Sequence, residues 1–392
     1  MSSAPGATDL LAEGDRALQC SDPRGALQLY RRAEAAEPKN LLIKLQIALA
    51  LRLAGDFEGA LGPLDEALAI DPYSVMAHLS KGFVLEKLGL SRAAANAYKV
   101  ALKCAPPDDR MPAALRAPLQ KAREAVARTQ DDLAARLKAV TDPIRARYLG
   151  EDFDRFERAL EVYAGRRRVY YPEPDLINYP ELPCEQFFGR RHFPWLEELE
   201  THTDIIREEL MRVLEEDWAE FNPYIKYPAG APVAQWYELN HSPKWSGFFL
   251  WEGGRKDEAH CARCPQTAAL VERLPVSWQS GYAPTIMFSV LQPHTHIPPH
   301  SGSANTRLVV HLPLILPGQC RFRVGNDTRE WKMGEAWVFD DTIEHEAWND
   351  SDHVRVILML DAWNPYLTEA ERELVAAMMT AKNAWMAEER AR

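Results

Sequence analysis

The stretch "HTHIPPHSGSANTRLVVHLPLILPG", residues 294–318, decides how the second half of this chain is read. It places four of the 11 histidines, His294, His296, His300 and His311, within 18 positions, and runs from a proline-rich turn into a nearly unbroken apolar segment. That segment belongs to a series. "TIMFSVLQP", "CRFRVGN", "TREWKMGEAWVFDD", "HEAWNDS" and "HVRVILMLDAW" are further short runs of β-branched or aromatic residues, separated by Gly, Pro, Asn and Asp turns. Strand-like runs recurring at roughly 8–12-residue intervals predict a sandwich or barrel of the jelly-roll type, whose two sheets leave a cavity suited to a metal.

The first third of the chain has a different character. Ala26, Ala60 and Ala94 are spaced 34 residues apart, as are Ala33, Ala67 and Ala101, and Pro38, Pro72 and Pro106. Three registers sharing one period match tetratricopeptide repeats, in which small residues let paired helices approach and each proline stops the second helix. "APLQKAREAVARTQDDLAARLKAV" reads as the capping helix. Such an array offers a concave surface for a peptide or partner protein; it serves equally well as a brace for a neighbouring domain. The helical pattern persists to about Ala164, and "RRRVYYPEPDLINYPELPCEQF" then breaks it with four prolines. The expected organisation is therefore α+β and multidomain: a repeat array at 1–137, a helical linker at 138–167, and a β domain at 168–392. The last carries flanking helices, one of them in "FPWLEELETHTDIIREELMRVLEED", and a C-terminal helix.

Bulk properties exclude some functions. A net charge of -11 over 392 residues argues against a nucleic-acid partner, whose phosphates call for a basic surface. No apolar window reaches the length of a membrane span, so no membrane partner is expected. The first residues lack a secretory pattern, and six scattered cysteines suit a reducing compartment, so a cytoplasmic address is expected. Cys261 and Cys264 form a lone CxxC, a weak zinc signal without a second pair.

The histidines remain. His300 and His345 lie 45 residues apart, each at the edge of a strand-like run. The usual non-haem iron triad adds a carboxylate two residues after the first histidine, and here that position is Gly302. Spacing alone thus leaves an iron site and ordinary surface histidines both open. His311 alternates with Val309 and Pro313 as a core histidine would, and His294 and His296 flank prolines like turn residues.

"SVLQPHTHIPPHSGSANTRLVVHLPLILPG", "GEAWVFDDTIEHEAWNDSDHVRVILMLDAWNP" and, less specifically, "FFLWEGGRKDEAHC" closely resemble the aspartyl/asparaginyl β-hydroxylase family, over roughly residues 168–370. The resemblance implies a double-stranded β-helix, or cupin-like, core. It also implies a dioxygenase dependent on Fe(II), 2-oxoglutarate and O2 that hydroxylates an unactivated C–H bond. The target would be the β-carbon of an Asp or Asn, or related, residue in a peptide, protein or carrier-bound substrate, which the repeat array would dock. By the same resemblance His300 and His345 are the iron ligands, and glycine at 302 is the family's own departure from the triad. Ser289 and Arg355 would hold the distal carboxylate of 2-oxoglutarate, His311 would border its other end, and Arg307 would meet substrate acid groups. Val309 stands where better-known relatives carry an arginine. Asp340, Asp341 and Glu344 are read as orienting turns or His345, and Trp337, Trp348 and Trp363 as core or cavity lining. Two alternatives are a repeat-based adaptor with an inactive barrel and a two-histidine metal hydrolase.

Overall fold

The computed structural model describes residues 5–216 and 218–390. The chain divides into two compact units, Met1–Arg168 and Val169–Arg392.

The first unit is helical. α1 (Ala7–Gln19) pairs with α2 (Pro23–Ala36), α3 (Leu41–Leu53) with α4 (Phe57–Ile70), and α5 (Val75–Lys87) with α6 (Ser91–Cys104). The repeated alanines Ala26, Ala60, Ala94, Ala33, Ala67 and Ala101 are at most 1% exposed, as close helix pairing requires. α2 and α4 start alike, with Asp22 and Asp56 each accepting a 2.8 Å bond from the amide three residues on, Gly25 and Gly59. These caps satisfy donors that a helix start leaves orphaned. The second helix of each pair ends two residues before Pro38, Pro72 and Pro106. α7 (Ala113–Arg145) is a single helix that runs through residue 137, where the array was expected to give way to a linker. α8 (Asp154–Tyr163) follows it.

The second unit is rich in β-structure. Its helices are α9 (Leu196–Thr201), α10 (Thr203–Glu216), α11 (Glu258–Arg263), α12 (Pro265–Arg273) and α13 (Glu369–Arg390). Its strands are β1 (Asn222–Pro223), β2 (Trp245–Glu252), β3 (Arg255–Lys256), β4 (Ile286–Leu291), β5 (Thr295–His300), β6 (Arg307–Ile315), β7 (Cys320–Val324), β8 (Asp327–Glu330), β9 (Trp337–Phe339), β10 (His345–Asn349) and β11 (Arg355–Trp363). One antiparallel sheet runs β1-β2-β4-β11-β6-β9, with β3 on β2, and a second runs β5-β10-β7-β8.

Alternation along the central strands sorts side chains to two faces. Phe288 and Val290 of β4, Leu308, Val310 and Leu312 of β6, and Val356, Leu358 and Leu360 of β11 join a core packed with residues of α9, α10 and α12. The intervening residues Met287, Val309, Ile357 and Met359 join another core with Ile297, Phe322 and Ala347 of the second sheet. The two sheets therefore face each other across that second core. Any polar residue at an odd position of β4, β6 or β11 is carried into the space between them.

Candidate active site

Ser289, Arg307, His311, Arg355 and Asp361 occupy such odd positions, and all of them line a cavity of about 280 Å³ together with His300, His345 and Asp341. The six residues singled out in the sequence thus meet in one place.

His345 begins β10 and pairs in register with His300 at the end of β5. Between that pair and the next, Ile297 with Ala347, β5 spends one residue more than β10. This bulge, at Pro298 and Pro299, breaks the alternation and turns His300 toward the same side as Ile297. Prolines are tolerated because β5 is an edge strand. The rings of His300 and His345 are 4.0 Å apart, centroid to centroid. Nδ1 of His300 is 2.8 Å from the carbonyl of Pro298, and Nδ1 of His345 is 3.0 Å from that of Ile343, two residues upstream in each case. A carbonyl only accepts, so each Nδ1 carries the proton and each Nε2 keeps a lone pair. Burial first, then the neighbouring His345, holds His300 well below the usual imidazole range. Burial takes His345 down to about 4. Both are neutral near pH 7, the state a metal ligand needs.

Arg355 is 1% exposed, and among the described residues its Nε and Nη1 have no hydrogen-bond partner. Its guanidinium lies 4.9 Å from the Trp331 ring centre, and burial lowers its pKa to about 10, so it stays charged at neutral pH. A buried cation without a counter-charge is costly unless an anion joins it. Ser289, on the neighbouring strand, accepts a 3.2 Å bond from Trp245 Nε1, which leaves its own hydroxyl proton to donate. Among the described residues His311 Nδ1 has no partner, and burial, then Arg355, keeps this histidine far below the ordinary range. Its ring packs 4.8 Å from Phe339 and 5.1 Å from Phe322. Val309 puts an apolar side chain in the same cavity.

Arg307 is differently placed. Nη2 lies 3.1 Å from Asp341 and Nη1 2.9 Å from Asp361, while Nε donates to the Tyr282 hydroxyl at 3.3 Å. Two buried carboxylates therefore balance its charge. The sequence expectation that it meets a substrate acid group finds it already committed to these partners.

The three acidic residues before His345 separate cleanly. Asp340 closes a turn, accepting from the amide of Thr342 at 2.9 Å and from its hydroxyl at 2.5 Å. Glu344 pairs with Arg323 at 2.8 Å. Asp341 faces the cavity, and its Oδ1 has no hydrogen-bond partner among the described residues. A Cβ built on Gly302 would collide with Asp341 Oδ2, so this carboxylate fills the space a side chain at 302 would take.

His294 occupies a positive-φ turn at 51°. His296, read as a turn residue, belongs to β5, stacked 4.9 Å from Trp348 and bonded to Glu346 at 2.8 Å. Cys261 and Cys264 are buried thiols, both pushed up to about 12 by burial. Sequence reasoning missed Tyr224, Trp236, Asp361 and Tyr282. Trp236 packs 4.9 Å from His300, and Tyr224 stacks on Trp245 at 4.2 Å. Asp361 had a signal: a lone acid in the apolar strand "VRVILMLDAW", in phase with Arg355.

The family model for aspartyl/asparaginyl beta-hydroxylase matches residues 200–365, which spans both histidines and Arg355. The ornithine lipid ester-linked acyl 2-hydroxylase of Rhizobium tropici is 33% identical over 205 residues, covering 52% of this chain and 69% of that protein. This chain belongs to the aspartyl/asparaginyl β-hydroxylase family. Another member, the aspartyl/asparaginyl beta-hydroxylase of Mus musculus, is 27% identical over 91% of this chain, and the chain spans 44% of its length. Among solved structures, the Sgt2 TPR domain from Aspergillus fumigatus aligns with 32% of this chain and 81% of its own, at 21% identity and a TM-score of 0.28. Both of these named relatives, from Rhizobium tropici and Mus musculus, are hydroxylases. Among the described residues no helix is long and apolar enough to cross a membrane.

Proposed function

We propose that this chain is an Fe(II)- and 2-oxoglutarate-dependent dioxygenase. The observation that carries the reading is the meeting, in one cavity, of two neutral imidazoles, each anchored through Nδ1 by a backbone carbonyl, and a buried arginine that has no counter-ion among the described residues. Imidazole nitrogens suit a divalent first-row metal, and His300 and His345 would hold it. Arg355 offers its planar fork, and Ser289 its hydroxyl, to the far carboxylate of 2-oxoglutarate. His311 lies on the same wall of the cavity and would border the cosubstrate toward the metal. The two sheets facing each other across this space support a double-stranded β-helix.

When bound, the iron and its cosubstrate would supply the oxidising power for an unactivated C–H bond of the substrate: one atom of O2 would enter the substrate as hydroxyl and the other the succinate formed, with CO2, from 2-oxoglutarate. The chain's own task is placement and exclusion of water. The carbonyls of Pro298 and Ile343 fix both imidazole tautomers. Trp236, Trp245, Phe322 and Phe339 wall the two histidines with apolar surface. Asp341 keeps an oxygen free to accept a hydrogen bond beside them.

The substrate reading is an Asp or Asn side chain, or a related group, in a peptide, protein or carrier-bound molecule. With Arg307 already neutralised by Asp341 and Asp361, the uncharged asparaginyl amide fits better than a third carboxylate. A cytoplasmic location is part of the same proposal. The test is succinate formed from 2-oxoglutarate under air with added Fe(II), measured for the wild type and for His345→Ala. Succinate that disappears in the variant supports the reading; none from folded, iron-loaded wild type in the presence of asparaginyl peptides sinks it.

A further inference from the structure

The two ends of the cavity between the sheets differ in charge. Arg355 opens β11 and Asp361 comes six residues later, so their backbones stand roughly 20 Å apart at about 3.3 Å per residue. At the Asp361 end the lining holds three carboxylates, Asp175, Asp341 and Asp361, against one guanidinium, Arg307. We infer that this end holds a protonated amine of the substrate, a primary ammonium seated between Asp341 and Asp175. The inference rests on the cavity being a hydroxylase site, and it narrows the substrate to one that keeps a free amine beside the carbon that reacts.

Three observations point to that occupant. The first is an acceptor left without a donor. Asp361 is satisfied: Oδ1 accepts from Arg307 at 2.9 Å and Oδ2 from the Thr285 amide at 2.8 Å. Asp341 is not. Its Oδ2 pairs with Arg307 at 3.1 Å, while Oδ1, on a residue only 6% exposed, has no partner among the described residues. A buried carboxylate oxygen without a donor carries a desolvation cost that an incoming N–H offsets.

The second is charge. Asp175 is an exposed residue that lines the same cavity, and its carboxylate has no ion-pair or hydrogen-bond partner among the described residues. Burial, and to a smaller extent Asp175, push the Asp341 carboxyl upward against the pull of Arg307, so the two acids lie within reach of each other's charge. Arg307 carries one positive charge and already serves two carboxylates. The negative charge left over is matched by a cation and worsened by a further acid.

The third is the number of acceptors. A primary ammonium brings three N–H donors on a compact head, where a guanidinium brings five. Asp341 Oδ1 and the Asp175 carboxylate accept two. Ser303 lines the cavity and is bonded at 2.7 Å to the Tyr282 hydroxyl, itself on Arg307, so its oxygen is placed for the third. Asp341 stands against Gly302, two residues past His300, so an ammonium seated there sets its own carbon chain beside the two histidines. An asparaginyl group that keeps its α-amine, at a peptide N-terminus or linked through its carboxyl to a carrier, fits this arrangement. One acylated within a peptide does not.

The experiment titrates the full chain calorimetrically with asparagine amide, which carries the ammonium, and with N-acetylasparagine amide, which does not. It is run without metal at about pH 6.5, where an α-amine of pKa about 7.7–8.0 is protonated, and again with Mn(II) and 2-oxoglutarate. The expected result, in both states, is saturable binding of the ammonium probe, weakened by salt and at least about tenfold tighter than that of the acetylated one. Asp341→Asn abolishes this preference without weakening the acetylated probe, and Asp175→Asn reduces it by a smaller factor. Circular dichroism confirms that each variant is folded, and Asp175→Asn, at an exposed position, carries the test if Asp341→Asn is not. Equal binding of the two probes, no saturable binding, or a preference that survives both substitutions would each overturn the inference. So would Asp341→Asn lowering Mn(II) affinity while the preference stays, since Asp341 would then serve the metal. The metal-free titration needs neither iron nor turnover. A chain that prefers the ammonium probe yet forms no succinate loses the dioxygenase reading and keeps the ammonium site; one that forms succinate yet binds both probes alike does the reverse.

Discussion

Asp341 occupies the place of the side chain that Gly302 lacks: its Oδ2 stands where a Cβ on Gly302 would be. Gly302→Ala therefore pushes the carboxylate aside and strains its 3.1 Å pair with Arg307. The obstacle is the end of a side chain, so the fold survives. The expected loss is about 1–3 kcal/mol, read as a fall in denaturant midpoint without a change in slope. An unchanged midpoint would mean that Asp341 is held there by nothing of consequence.

Arg355 gives a prediction with two opposite signs. A buried cation without a partner destabilises the empty protein, and an apolar side chain of similar length relieves that cost. Arg355→Met is expected to raise the melting temperature of the empty protein, by at least about 1 kcal/mol in stability terms. The same change removes charge-assisted hydrogen bonds to a carboxylate and weakens 2-oxoglutarate binding by about tenfold or more. Calorimetric titration with Mn(II) present measures the second effect, and thermal melts the first. Loss of both stability and binding would show a structural arginine instead.

Asp340 is pushed up to about 7, chiefly by burial. An acid whose folded pKa is raised holds its proton more tightly when folded, so it favours the fold at low pH. That contribution is lost as pH climbs from about 4 through about 7. An asparagine in its place would keep an oxygen for the Thr342 amide and hydroxyl but would not titrate. The stability difference between wild type and Asp340→Asn should accordingly move in the variant's favour between about pH 4 and about pH 7 and level off above that. A difference that stays flat over this range would mean an ordinary pKa for Asp340.

In the helical unit, a Cβ on Gly14 would run into the Tyr30 ring, and Tyr30 is fully buried with its hydroxyl 2.6 Å from Asp15. A ring held this way cannot swing aside. Gly14→Ala is expected to cost about 1–3 kcal/mol by overpacking, although alanine favours helices in general. A stabilised variant, measured by urea unfolding, would show that the pair yields easily.

The repeat array was legible because its signal is arithmetic: Ala26, Ala60 and Ala94 repeat whatever their neighbours are. The strand series was legible from β-branched runs and turns, and β4, β6, β7, β10 and β11 fall where those runs lie. β5 was hidden, because Pro298 and Pro299 read as a loop and only an edge position makes them tolerable in a strand. The gathering of Ser289, Arg307, His311 and Arg355 into one cavity follows from their shared phase on adjacent strands, which sequence spacing suggests but does not fix. The bulge that turns His300 inward has no local signature. The commitment of Arg307 was likewise invisible, since Asp341 and Asp361 are 34 and 54 residues away and reach it only through the register of β6 with β9 and β11. Tyr224 and Trp236 come from irregular chain with no periodicity to read.

The central claim is that His300 and His345 hold iron beside a 2-oxoglutarate bound through Arg355. The anaerobic absorbance spectrum tests it most directly. With Fe(II) and 2-oxoglutarate together, the wild type should show a weak visible metal-to-ligand charge-transfer band that neither component produces alone. The band should be absent in His345→Ala and should need more 2-oxoglutarate in Arg355→Met. A folded wild type that binds Fe(II) yet shows no band at saturating 2-oxoglutarate would contradict the account.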